Sequence, residues 1–295
     1  MESHVPVLLH ETVDALAVKP GGRYVDGTFG RGGHAREIAR RGGEVLGIDR
    51  DEEAVASAGG IYVVKGRHGE IKEIAHENGW EEVDGVLLDL GVSSPQLDDA
   101  GRGFSFLREG PLDMRMDRSG GLSAADLVNG ESAESLEAIF RELGEEPAAR
   151  QIARAIAGHR GFSTTTDLAD FVERTIGRHG SHHPATRVFQ ALRMAVNDEL
   201  GELNKALAGG LELLKPGGRF AVIAFESLTD RTVKRFFAAH VGRMESLQQG
   251  GERWVGEQPR ARAVTRRAVK AGRRETMSNP RSRSARLRAI EKERA

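Results

Sequence analysis

The chain has 295 residues, 39% of them hydrophobic and 29% charged, with a formal net charge of −1 at pH 7 and no cysteine. The length suits one large domain, or one domain carrying an inserted second one. Without cysteine there are no disulfides, Cys-based zinc sites or thiol nucleophiles, and no stretch approaches the roughly 18 consecutive apolar residues of a membrane span.

Met1-Glu2-Ser3-His4 has neither the basic start nor the apolar core of a secretory signal, so a cytoplasmic protein is expected. The first hundred residues alternate strand and helix signals. Tyr24-Val25 opens a short strand that runs into Asp26 and a glycine-rich turn, and a helix is expected over 35–41. Residues 45–48 read as a second buried strand ending at Asp49, 52–58 as a helix, 61–64 as a third strand, and 83–88 as a fourth ending at Asp89. Short apolar runs separated by helices predict a parallel α/β sheet.

From about 101 to 180 the signals are helical only. Leu136, Ile139, Phe140 and Leu143 have helical spacing, as do Ile152, Ala153, Ile156 and Ala157, and again Leu168, Phe171, Val172 and Ile176. The threonines after Ser163 predict a helix start near Asp167. The expected organisation is a sheet domain in two parts, 1–100 and 184–295, around a helical insertion over 101–183. In the second part 188–214 reads as one long helix, with Gly209-Gly210 as its place of interruption. Lys215-Pro216-Gly217-Gly218 reads as a turn, 220–225 as a strand and 229–240 as a helix. Residues 258–295 hold 13 Lys and Arg against 3 Asp and Glu. Such a segment on an acidic body reads either as an arm for a polyanion or as a solvated tail.

The motif at 26–33, Asp-Gly-Thr-Phe-Gly-Arg-Gly-Gly, sits between a strand and a helix. Glycines allow a sharp turn and a close approach of ligand to main chain, and the next helix presents free N–H groups. Asp49, closing the second strand, is placed to accept hydrogen bonds from ribose hydroxyls. The spacing Gly30-x-Gly32-x-x-Ala35 also admits a dinucleotide. Asp26 argues against that, because its carboxylate would repel a pyrophosphate, whereas it can accept hydrogen bonds from the cationic amine of a methionine moiety.

Further motifs carry a resemblance. The run 26–34 together with Leu87-Leu88-Asp89-Leu90-Gly91-Val92-Ser93-Ser94-Pro95-Gln96-Leu97-Asp98 resembles the RsmH (MraW) family of bacterial 16S rRNA cytosine-N4 methyltransferases. So do Arg102-Gly103-Phe104-Ser105-Phe106, the run Pro111 to Asp117, His183-Pro184-Ala185-Thr186-Arg187, and Asn279-Pro280-Arg281-Ser282-Arg283-Ser284-Ala285. The resemblance implies a class I methyltransferase (Rossmann-like) fold, a mostly parallel sheet with an inserted all-helical domain. It implies S-adenosyl-L-methionine as methyl donor and S-adenosylhomocysteine as product. It places Gly32, Gly33, His34, Asp49, Asp89, Gln96 and, by position, His68 against that cofactor, with no metal. Some family members have an aromatic residue at 68, and Glu226 and Thr229 stand where the family often has His and Glu.

Methylation of a cytosine amine is an in-line displacement that needs an acceptor for an amine hydrogen. Ser94, in the loop after the fourth strand, and Asp113 are the catalytic candidates; each also reads as a loop-stabilising group, Ser94 as a local hydrogen-bond former and Asp113 as a partner of Arg115. The implied partner is 16S rRNA in the small ribosomal subunit, with a cytosine splayed out of its stack. Arg187, Gln190, Arg193 and Asn197 share one side of a predicted helix, either reading RNA or simply solvated.

Overall fold

The computed structural model describes residues 6–178, 180, 183–247 and 251–294. The short apolar runs become the strands of one sheet. In chain order the elements are α1 (Leu9–Leu16), β1 (Arg23–Asp26), α2 (Gly33–Arg40), β2 (Glu44–Asp49), α3 (Glu52–Ala56), β3 (Tyr62–Lys65), α4 (Ile71–Glu77), β4 (Val83–Asp89) and α5 (Ser94–Asp98). The helices α6 (Ala124–Gly130), α7 (Ala133–Glu142), α8 (Ala149–His159), α9 (Thr165–Ile176), α10 (Thr186–Val196) and α11 (Glu199–Leu213) follow. The chain then runs through β5 (Leu214–Ala224), α12 (Ser227–Val241), β6 (Arg243–Ser246), β7 (Glu252–Val255), β8 (Ala261–Ala263), α13 (Arg273–Ser278) and β9 (Arg286–Lys292).

The chain forms two compact units, residues 1–91 with 201–295, and residues 92–200. In the first, seven strands lie in the order β3-β2-β1-β4-β5-β9-β8. Strands β1 to β5 are parallel, and β9 and β8 each run antiparallel to the preceding strand in that order. This is the mostly parallel α/β sheet expected. The order turns back between β1 and β4, so the carboxyl ends of β1, β2 and β4 open a crevice of the kind where such sheets bind ligands. Helices α1 and α2 bury Val13, Leu16 and Ile38 with Tyr24, Leu87, Ile223 and Leu287 from the sheet. Helix α12 packs on β5, β8 and β9, with Phe237 at 5.7 Å from Phe220.

The second unit is helical. Leu136, Phe140, Ile152, Ile156, Leu168 and Val172, which carry the 3.6-residue spacing, share its core. Thr164 caps α9 as its position before Asp167 predicts, its side chain accepting from the Asp167 amide at 3.2 Å. The unit is wider than the 101–183 expected. Ala185, Val188, Phe189, Ala191 and Leu192 join the same core, so α10 goes with the helices rather than with the sheet.

Two local readings are corrected. The helix expected over 188–214 breaks at Asn197-Asp198, not at Gly209-Gly210. Asn197 caps the end of α10: its amide still donates to Arg193 O at 3.1 Å, while its side chain accepts from Met116 N at 2.9 Å and donates to Met114 O at 2.8 Å. Asp198 follows at φ +47°. Residues 215–218 are not a turn between elements. They form a bulge within β5, between Leu214 opposite Val83 and Arg219 opposite Gly85, with Gly217 at φ +82°.

Candidate functional site

The glycine-rich turn is sewn to both neighbouring strands. The Gly27 amide donates to Leu87 O at 2.9 Å and the Phe29 amide to Ile48 O at 3.0 Å. Thr28 Oγ1 accepts from the Asp89 amide at 2.6 Å. Gly32 has φ +67°, and a Cβ there would lie 2.4 Å from the Phe29 ring. That conformation and contact exclude any other residue. A Cβ on Gly33 would lie 2.0 Å from Pro6 Cγ, so residues 6–8 run directly over the start of α2. His34 is buried there, with Nε2 3.2 Å from Val7 O and Nδ1 3.7 Å from Asp89 Oδ2.

Three aspartates close the ends of β1, β2 and β4. Asp49 Oδ2 accepts from the Gly30 amide at 2.7 Å and Oδ1 from the Asp51 amide at 2.9 Å. Burial nevertheless holds its carboxyl above the usual range. Asp26 is 1% exposed, and Oδ1 accepts from the Thr28 amide at 3.2 Å. Burial, opposed by that hydrogen bond and helped by the charge of Asp49, pushes it up to about 7. Asp89 Oδ1 is inaccessible and has no hydrogen-bond partner. Burial and the neighbouring Asp26 push this carboxyl up to about 8. The Asp89 side chain as a whole is 26% exposed, so the group is reachable from one side.

His68 begins a single 3₁₀ turn after β3. Its Nε2 is inaccessible and without a partner. Burial, and then the charge of Arg50, push the imidazole down to about 3, so it is neutral near pH 7. Orphaned buried polar atoms are uncommon, because each costs about 1–3 kcal/mol. Here Asp89 and His68 both carry one, and both flank the same turn: a Cβ on Gly27 would lie 2.7 Å from Leu88 Cδ2 and 3.6 Å from His68 Cβ.

These residues fit S-adenosyl-L-methionine. Asp26 and Asp89 offer carboxylates to a cationic ligand, and each Asp49 oxygen keeps a lone pair beyond its amide for a ribose hydroxyl. His68, half-buried, offers a neutral ring. The structure therefore brings together Gly32, Gly33, His34, Asp49, His68 and Asp89 in the first unit. Sequence reasoning placed Thr28 and residues 6–8 in runs that carry the resemblance but gave neither a role; Thr28 ties the turn to β4, and residues 6–8 cover it.

The other expected site residues belong to the second unit. Gln96, on α5, is 6% exposed, and its Oε1 accepts from the Ser93 amide at 2.9 Å. Ser94 is the first residue of α5; its side chain lies outside the described residues. Asp113 grips Arg115 with both oxygens, at 2.8 and 3.0 Å. Burial opposes its ionisation, but the hydrogen bonds and charge of Arg115 hold it below the usual carboxylate range.

Two expected RNA-facing groups are corrected. Arg193 and Asn197 are not on an open helix face: Arg193 pairs with Glu199 at 2.8 and 2.9 Å, and Asn197 is 5% exposed. The basic residues after 258 do not all form an arm or a tail. Arg286 and Arg288 lie on β9 and bind Asp230 at 3.0 and 2.7 Å, and Arg262, on β8, pairs with Glu291 at 2.6 Å.

The model of the MraW methylase family matches residues 1–293. The ribosomal RNA small subunit methyltransferase H of Methylobacterium nodulans is 50% identical, covering 99% of this chain and 91% of that one. The protein of the same name from Symbiobacterium thermophilum is 45% identical over 98% and 96%. Among solved structures, that of an rRNA methylase from Streptococcus thermophilus is similar at 10% identity and a TM-score of 0.44, over 99% of this chain and 100% of its own. Matched along almost its whole length, with relatives near half-identical from end to end, the chain belongs to the MraW methylase family.

Proposed function

We propose that this protein transfers a methyl group from S-adenosyl-L-methionine to the exocyclic N4 of a cytosine in 16S ribosomal RNA of the small subunit, and that it does so in the cytoplasm. The observation that carries this reading is the pair of orphaned polar atoms, Asp89 Oδ1 and His68 Nε2, at a glycine turn that accepts no Cβ at Gly32 or Gly33. Among the described residues no helix is long and apolar enough to cross a membrane.

The cofactor supplies the methyl group, on a sulfonium that is already a good leaving group. The protein's task is then to hold and to orient. Asp49, fixed by the Gly30 and Asp51 amides, takes the ribose hydroxyls. Asp26 and Asp89 face the positive charge, which favours their ionised forms and offsets the cost of burying them. His34, held between Val7 and Asp89, keeps the segment over α2 in register with that carboxylate. Residues 6–8 limit water at the turn.

The cytosine amine needs an acceptor as positive charge develops on it. Asp113 has committed both oxygens to Arg115, which suits a positioning role. Ser94, five residues beyond Asp89 in the chain, is the first acceptor to test.

The deciding experiment maps 4-methylcytosine in small-subunit RNA from cells with and without this protein, then repeats it with Asp89→Asn. One 4-methylcytosine should vanish on deletion and stay absent with the variant. An unchanged modification map would overturn the reading.

A further inference from the structure

The cations of the C-terminal segment fall into two groups. Those on or beside the strands are occupied: Arg286 and Arg288 by Asp230, Arg262 by Glu291, and Arg260, just before β8, by Glu293 at 3.4 Å. Those on the strap between β8 and β9 are not. Arg266, Arg267, Lys270, Arg273, Arg274 and Arg283 are all exposed, and their side chains make no hydrogen bond or ion pair among the described residues.

The strap is pinned rather than loose. Glu275 Oε1 accepts from the Leu8 amide at 2.8 Å, a bond spanning 267 positions of sequence. Leu8 follows Val7, whose carbonyl meets His34, and Pro6, which lies against Gly33. A short chain of contacts therefore runs from the unpaired cations through Glu275 and residues 6–8 to the glycine turn and Asp89. Glu275 is the strap's one acidic residue, and it is turned inward onto that amide.

We propose that the outer face of this strap, through Arg266, Arg267, Lys270, Arg273 and Arg274, binds successive phosphates of the substrate RNA beside the cofactor crevice. This rests on the methyltransferase reading and adds where the RNA backbone lies. A segment of exposed, unneutralised cations fits a polyanion, and its attachment to the wall of the crevice makes the docked backbone a guide for the target base. Such contacts set the register of a nucleic acid without reading its sequence.

The test uses the full chain with these five residues changed to Gln, against wild type and against Lys234→Gln with Arg235→Gln, two exposed cations on α12. Binding to a small-subunit RNA transcript is titrated from low to high salt, S-adenosylhomocysteine binding checks the fold, and methyl transfer to small-subunit particles is read in parallel. The strap variant should bind S-adenosylhomocysteine as wild type does. Its log–log salt slope should be shallower by about 0.7–0.9 for each phosphate that is no longer neutralised, with the α12 variant near wild type. A slope equal to wild type overturns the proposal, and does so with the function intact if wild type methylates the particles. A shallower slope with no methyl transfer by wild type keeps the strap as an RNA surface and removes the enzymatic reading instead.

Discussion

Asp89 and Asp230 are aspartates of the same compact unit, both next to β5 or its neighbours, and they are treated in opposite ways. Asp230, on α12, is 5% exposed and binds Arg286 once and Arg288 twice, at 3.0, 2.7 and 3.0 Å. Burial opposes its charge, but the two guanidinium groups win and hold its carboxyl below the usual range. Asp89 has burial and Asp26 against it, and one oxygen has no partner at all. A buried charge with its countercharge present is part of the fold. A buried acid left short of a countercharge costs stability, and that cost is offset when a cation arrives from outside.

The contrast can be broken first at its structural end. Ending the chain at Gln258 deletes β8 and β9 and with them the buried Leu287, Ala289 and Ile290. At about 2–5 kcal/mol for each large core side chain, against a total of about 5–15, no folded protein should remain. A truncated chain that still melts cooperatively and binds S-adenosylhomocysteine would show that β9 is dispensable. Next comes Asp230→Ala, which leaves Arg288, 17% exposed, without its acid. Urea unfolding should show a loss of about 3 kcal/mol at pH 7, with cofactor affinity unchanged in the folded fraction. Because the folded pKa of Asp230 is lowered, that difference should shrink as the pH falls through it.

The smallest effect has the opposite sign. Asp89 has a raised folded pKa, so the cost it imposes on the ligand-free fold is absent below about pH 4 and grows as the pH rises towards about 8. Asp89→Asn should therefore stabilise the free protein by about 2 kcal/mol at pH 8, less than full burial would give because the carboxylate is partly exposed, and by nothing at pH 4. Thermal melts of wild type and variant across that range check it; a variant that is less stable at pH 8 would mean that Asp89 serves the fold.

The crevice was largely legible in the sequence, because its signals are local. A β-rich run ending in Asp states both the strand and the ligand end of it, and Asp26, Asp49 and Asp89 all follow that rule, Asp26 and Asp89 with a glycine just after. The paired end was not. Arg286-Leu287-Arg288-Ala289 alternates outward and inward as a strand should, but the arginines read as a charged tail because their partner, Asp230, is 56 and 58 positions away. The break at Asn197 was hidden for the same reason, since its cause is a side chain reaching back to Met114 and Met116. Gly209-Gly210 looked the weaker point, yet Gly210 is needed where it is: a Cβ there would meet the Phe220 ring at 2.8 Å.

The central claim is that Asp89 waits, largely protonated, for a cationic ligand. Calorimetric titration of S-adenosyl-L-methionine at pH 7, in buffers of different ionisation enthalpy, tests it most directly. The account predicts release of about one proton on binding by wild type, and a smaller release, with weaker binding, by Asp89→Asn. Tight binding with an enthalpy that ignores the buffer, or equal proton release by the two proteins, would contradict it.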